Sequence, residues 1–388
     1  MKYKTLLLGT AAVFAVAGSA RAADLAVAES VEYVKVCDAY GAGYFYIPGS
    51  DTCLKIGGDL QFETFFQKPS FDSRADIVNG DDSDMSWFMR TRAEVNITAK
   101  SMTDWGMLTY FANIRAQHYK GGGDGGAGEA GADFYMETAW AKIGGFKAGW
   151  DASTFDAGFL GADDNAPSNF DHDQHQNQVQ WSTTVGGWGF FIAAEDPQDN
   201  PSPISGLLTS AGFAAPDDRT LAPGLNTGVG EWKGNWPDIV AAVTGGAGNF
   251  HWKGSLGVTD TTVGTGYGGQ LWGQWLSGGN SVTLQAAVSN GAGSLYGANI
   301  QPEAYGNGTY WHVAGQVGFA VTQAFTILFE AGYQKTPGPS AWEATAEADW
   351  TVGKGAVFAV EYDFLSHGLS AGINDQLQVV DLFFKRSF

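Results

Sequence analysis

Short and long connections alternate along nearly the whole of this chain, and few architectures require that. Sixteen segments carry a two-residue hydrophobic period: 54–66, 86–99, 107–118, 133–143, 146–151, 176–185, 188–195, 238–244, 249–258, 268–276, 280–289, 309–320, 325–335, 341–352, 355–364 and 377–388. Each predicts a β-strand. Every second connection is tight, at 101–106, 144–145, 186–187, 245–248, 277–279, 321–324 and 353–354. The others are mostly long, at 67–85, 119–132, 152–175, 196–237, 259–267, 290–308 and 365–376, with a shorter one at 336–340. A β-sandwich has no reason to alternate loop length round its whole circuit. A barrel threaded through a bilayer does, because its periplasmic turns are short and its extracellular loops long. An even strand count also returns both termini to the short-turn side.

The alternation within the strands agrees. From 86 to 100 one face carries Ser86, Arg90, Arg92, Glu94, Asn96, Thr98 and Lys100, and the other Trp87, Met89, Ala93, Val95, Ile97 and Ala99. Gln176, Gln178 and Gln180 stand against Val179 and Trp181 in the same way, as do Glu343, Thr345, Glu347 and Asp349 against Trp342, Ala344, Ala346 and Trp350. The last segment runs up to the aromatic Phe388. Free termini of soluble domains usually fray, whereas the final strand of a barrel must pair with the first, since an open edge in lipid is prohibitively costly. Phe388 is thus expected at the closing seam. Trp87, Trp181, Trp188, Trp342 and Trp350 fall near strand ends, where interface girdles sit. Fourteen per cent aromatic residues and 55 glycines against 12 prolines suit many strands joined by tight turns.

Residues 1–22 predict a cleaved secretory signal: a basic start at Lys2 and Lys4, a short apolar stretch, and Ala20-Arg21-Ala22 as the cleavage site. Removing these residues takes away three cations and no acid from a chain of formal charge −20. Nucleic acid is disfavoured as a partner, because phosphate demands a basic face. Cys37 and Cys53 are the only cysteines, and in an exported protein they predict one disulfide in a segment, 23–53, ahead of a barrel spanning 54–388.

The 152–175 connection contains Asp156, Asp163, Asp164, Asp171 and Asp173, with Asp151 at its start, and holds no Lys or Arg. It is the third long loop, the natural one to fold inward and narrow a pore. Arg90, Arg92 and Arg115, with Lys55 in support, are expected to face it and set up a transverse field. Three other motifs carry no chemistry. The string at 262–268, TVGTGYG, looks like a potassium filter or a phosphate loop but lacks the flanking helices either needs, and predicts a hairpin loop. His172 and His175 lack further ligands. Asp163 and Asp164 are adjacent rather than opposed across a cleft, which is poor geometry for acid–base work. No enzyme activity and no cofactor are expected.

The string VEYVKVCDAYGAGYFYIPGSDTCLKIGG at 31–58 resembles the N-terminal signature of the alphaproteobacterial porins of the Brucella and Rhizobium type. The start KYKTLLLGTAA, the mature start near Ala23-Asp24 and the closing Lys385-Arg386-Ser387-Phe388 resemble the same family. The resemblance implies an all-β, sixteen-stranded antiparallel barrel in the bacterial outer membrane, assembled as a homotrimer among lipid and lipopolysaccharide, with its third loop folded inward over 151–173. It implies passive diffusion of small hydrophilic solutes and ions. The alternative is a channel selective for a sugar or another nutrient, with Phe155, Phe159 and Phe170 as an aromatic slide. A secreted all-β carbohydrate-binding or adhesion protein is the reading from another class.

Overall fold

A computed structural model describes residues 35–68, 86–120, 130–157, 175–196, 236–261, 264–291, 308–335, 340–367 and 376–388. The expected signal at 1–22 lies outside them. A two-residue strand, β1 (Phe45–Tyr46), precedes sixteen long ones. These are β2 (Cys53–Lys68), β3 (Ser86–Thr103), β4 (Gly106–Lys120), β5 (Ala130–Ile143), β6 (Phe146–Ala152), β7 (His175–Val185), β8 (Trp188–Asp196), β9 (Asp238–Ala247), β10 (Phe250–Thr261), β11 (Gly264–Ser277), β12 (Asn280–Asn290), β13 (Thr309–Thr322), β14 (Phe325–Lys335), β15 (Ser340–Gly353), β16 (Ala356–His367) and β17 (Gln376–Ser387). All sixteen predicted strands are present, most of them longer by one to three residues at an end.

Every long strand pairs antiparallel with its neighbours in sequence, and β17 closes the ring on β2 from Gln378↔Lys68 to Ser387↔Asp59. Beyond the last ladder pair, Phe388 and Gly58 exchange backbone hydrogen bonds of 3.0 and 3.3 Å. Gly58 belongs to the outward face, and a Cβ there would meet the Glu94 carbonyl oxygen at 2.0 Å and the Phe388 ring at 3.1 Å. The terminal ring therefore fits at the seam only because position 58 has no side chain.

Burial is inverted relative to a soluble sheet. Gln61 and Glu63 are buried while their strand neighbours Leu60 and Phe62 are half exposed. Gln176, Gln178 and Gln180 are likewise buried beside exposed Val179 and Trp181. Apolar side chains form the outer band and polar ones face the lumen, as lipid outside and water inside demand; a basic residue on the outer midplane would cost about 2–4 kcal/mol. Trp87, Trp181, Trp188, Trp342 and Trp350 all point outward, as expected of girdle residues.

The tight connections are two-residue turns. Gly186 and Gly187, at φ 60° and 86°, and Gly278 and Gly279, at 58° and 83°, supply the pair of positive φ values that the favoured hairpin turn needs. One expectation fails: the string at 262–268 is not a hairpin loop, since Gly264 to Gly268 are strand, paired with Thr261 to Gly257 of β10. Glycine alternation carries no hydrophobic signal, and here the partner strand rather than local propensity decides.

Candidate pore constriction

The arginines singled out from the sequence lie together on the lumen face of β3 and β4, and the wall itself matches them with acceptors. Glu63 and Arg90 are direct cross-strand partners. Arg90 grips Glu63 with two bonds, through Nε and through Nη2 to Oε1 at 2.9 Å. Arg92 donates to Gln61 and Gln117, each at 3.3 Å. Arg115 pairs with Glu94 at 2.7 Å and Glu137 at 3.3 Å, and donates to the Tyr135 hydroxyl at 3.3 Å. Glu137 reaches it through a bulge, for Asn113 pairs with Thr138 while Ile114 pairs with Met136. The extra residue lets Glu137 and Thr138 both point inward. Charge-assisted, bidentate contacts of this kind fix geometry more than isolated ion pairs do.

The third loop leaves the wall where β6 ends. Asp151, the last acid of that strand, pairs with Lys147 at 2.5 Å. The chain then turns into the lumen at 153–157, with Ser153, Thr154, Phe155 and Ala157 buried. Glu195 on β8, itself 0% exposed, organises the turn. Its carboxylate accepts from Ser153 Oγ and from Thr154 N–H, both at 2.7 Å. Gln180 Nε2 donates to Thr154 Oγ1 at 2.7 Å, and Gln178 Nε2 to the Ala152 carbonyl at 2.7 Å. From β10, the Lys253 ammonium donates to the Asp156 carbonyl. In the ring of sixteen, β7 and β8 stand three to five strands from β3 and β4 and β10 six or seven, so the turn is anchored on a different stretch of wall from the arginines.

Asp163, Asp164, Asp171 and Asp173 lie outside the described residues, as do His172, Phe159 and Phe170. Phe155, the remaining member of the expected aromatic slide, is fully buried and offers no face to a passing sugar. His175 opens β7, with its ring stacked on Trp150 at 6.2 Å.

Sequence reading overlooked a second charged wall. The lumen faces of β14–β17 carry Glu330, Glu343, Glu347, Glu361, Asp363 and Asp381, all buried. Cross-strand pairing puts Glu347 opposite Glu361, and Glu361 opposite Asp381. Thr345 Oγ1 donates to Asp363 at 2.6 Å and Gln316 to Glu330 at 3.4 Å. Between 325 and 387 the basic residues are Lys335, Lys354, Lys385 and Arg386, and only Lys385 shares the lumen face.

Residues 24–380 match the sequence profile of the porin subfamily. The chain is 30% identical to porin Omp2b of Brucella suis over 372 residues, covering 90% of this chain and 96% of that one. Omp2b of Brucella melitensis is 29% identical over the same length. Among solved structures, the fold is similar to the outer-membrane channel DcaP of Acinetobacter baumannii, with TM-score 0.65, 13% identity, and 88% and 99% of the two chains covered. It is also similar to Salmonella typhi OmpF, with TM-score 0.56, 10% identity, and 87% and 99% covered. A closed sixteen-stranded barrel with an apolar exterior, a polar lumen and this match over nearly its whole length places the chain in the porin subfamily, as a general-diffusion channel of the outer membrane.

Proposed function

We propose that passage through this barrel is filtered by charge as well as by size, with a mild preference for cations. The observation that carries this reading is the row Glu347–Glu361–Asp381 across β15–β17. Like charges directly opposite one another repel, and a passing cation relieves that repulsion while an anion adds to it. Arg90 and Arg115 answer to carboxylates beside them and Arg92 donates to the Gln61 and Gln117 amides, so the three are tied into the wall more than they charge the water. The narrowing itself comes from the turn at 153–157 and the acidic loop that follows, including Asp163, Asp164, Asp171 and Asp173.

The test is a reversal potential in a KCl gradient across a planar bilayer. The triple variant Glu347→Gln, Glu361→Gln, Asp381→Asn should lose most of the cation preference while keeping its conductance. An unchanged reversal potential rejects the acidic wall as the filter. Two further parts of the proposal rest on the resemblance to the family. The chain assembles as a homotrimer, which a detergent-corrected mass of three chains supports and a mass of one refutes. Export removes residues 1–22, so N-terminal sequencing of the membrane protein should begin at Ala23.

A further inference from the structure

The short-turn end of the lumen carries a feature the filter does not use. Cys53 lies on the lumen face of β2, in step with Lys55 and Glu63, and is bonded to Cys37. The disulfide therefore draws the preceding segment to the inner side of the wall. That segment is well tied: Cys37 N–H donates to the Tyr44 carbonyl at 2.9 Å and Tyr46 N–H to the Lys35 carbonyl at 2.8 Å, while β1 pairs with Leu54 and Cys53. Cys37, Tyr44 and Cys53 form its buried centre. Tyr44 is laid against two lumen-facing lysines, its ring centroid 5.9 Å from Lys55 Nζ and 5.1 Å from Lys100 Nζ. Tyr40 stands 6.0 Å from the same Lys100 ammonium. Lys100 is the cross-strand partner of Cys53 and Thr109, and Thr109 in turn of Lys142.

The chemistry of these contacts differs from that of Arg90 and Arg115 above them. An ion pair holds a side chain in place and cancels its charge. A tyrosine face holds an ammonium and leaves the charge whole. Lys55, Lys100 and Lys142 are in no ion pair among the described residues. Asp38 and Asp51, the acids of the disulfide segment, are exposed and bridge none of these lysines.

We propose that Lys55, Lys100 and Lys142 form a cationic collar at the periplasmic mouth, that the Cys37–Cys53 hairpin positions two of its ammoniums through Tyr44, and that small anions concentrate there. The pore then carries opposite charge preferences in series, an acidic wall followed by a basic exit, and its current is asymmetric in voltage. The collar rests on the channel reading, since without a lumen there is no mouth to charge. In water an ammonium about 6 Å away raises the local concentration of a monovalent anion by about threefold.

The test uses the full-length protein in planar bilayers with KCl. Lys55→Gln with Lys100→Gln should raise the cation-to-anion permeability ratio by about three- to tenfold by the same estimate, applied to one ammonium or to both, and flatten the current–voltage asymmetry. Tyr44→Phe keeps the ring face and should behave as the parent, whereas Tyr44→Ala should move the reversal potential toward the double variant. In the unmodified channel the asymmetry should fade between 10 mM and 1 M salt, as the screening length falls from about 30 to 3 Å. A double variant with the parental reversal potential, or an asymmetry that survives 1 M salt, overturns the collar. An unmodified protein that folds and passes no current overturns the channel reading instead.

Discussion

Replacing Glu195 with alanine tests whether the turn at 153–157 narrows the passage. The Glu195 carboxylate accepts two hydrogen bonds of 2.7 Å, from Ser153 Oγ and Thr154 N–H, and all three residues are buried. Hydrogen bonds to a charged group contribute about 1.5–3 kcal/mol each, so the loss should weaken the attachment of the turn by about 3–6 kcal/mol. Contacts that do not involve Glu195 remain, from Gln180 to Thr154 Oγ1 and from Lys253 to the Asp156 carbonyl. Even the lower figure changes the ratio of attached to released turn by about a hundredfold. Glu195→Gln keeps one acceptor oxygen and turns an N–H toward the other donor, so its effect should be about half as large in free energy. Single-channel conductance should therefore rise in the order parent, Glu195→Gln, Glu195→Ala, with added current noise in the alanine form. Heat-modifiable migration on a gel would confirm that each barrel is folded. A folded Glu195→Ala channel with parental conductance and noise would refute the idea that this turn sets the bore.

Neutralising Asp163 and Asp164 to asparagine should lower the cation preference, and reversal potentials that stay at the parental value would remove that loop from the constriction. Gly58→Val should weaken the closing seam, because the new side chain meets the Glu94 carbonyl and the Phe388 ring. Gel migration across a temperature series should show the valine barrel unfolding at lower temperature than the parent; an unchanged transition would mean that the ring is not needed at the seam.

Strands and turns were legible because both are local: the two-residue period and the paired glycines at 186–187 and 278–279 are written in consecutive residues. The start of β11 was not, because glycines at 264, 266, 268 and 269 have no apolar face to alternate. Charge on the wall was legible one strand at a time, and the grouping of Arg90, Arg92 and Arg115 followed from face alone. The Glu347–Glu361–Asp381 row was invisible, since its members come from three strands and only their register aligns them. Glu195 was hidden for the same reason: nothing near 195 in sequence shows that a turn 41 and 42 residues earlier will rest on it. Asp151 was read at the mouth of the third loop and stands there, at the end of β6.

The bulge in β5 separates two things that usually travel together in a barrel wall. Removing any one residue from a regular strand turns everything beyond it inside out. Glu137 is an exception, because Met136 already faces outward and Thr138 inward, so the ladder would be regular without it. Its deletion should leave each remaining side chain on its present side and take away one carboxylate from Arg115. The wall can thus be edited at this position for charge while its shape is kept, as though the acid had been slotted into a strand that was complete before it.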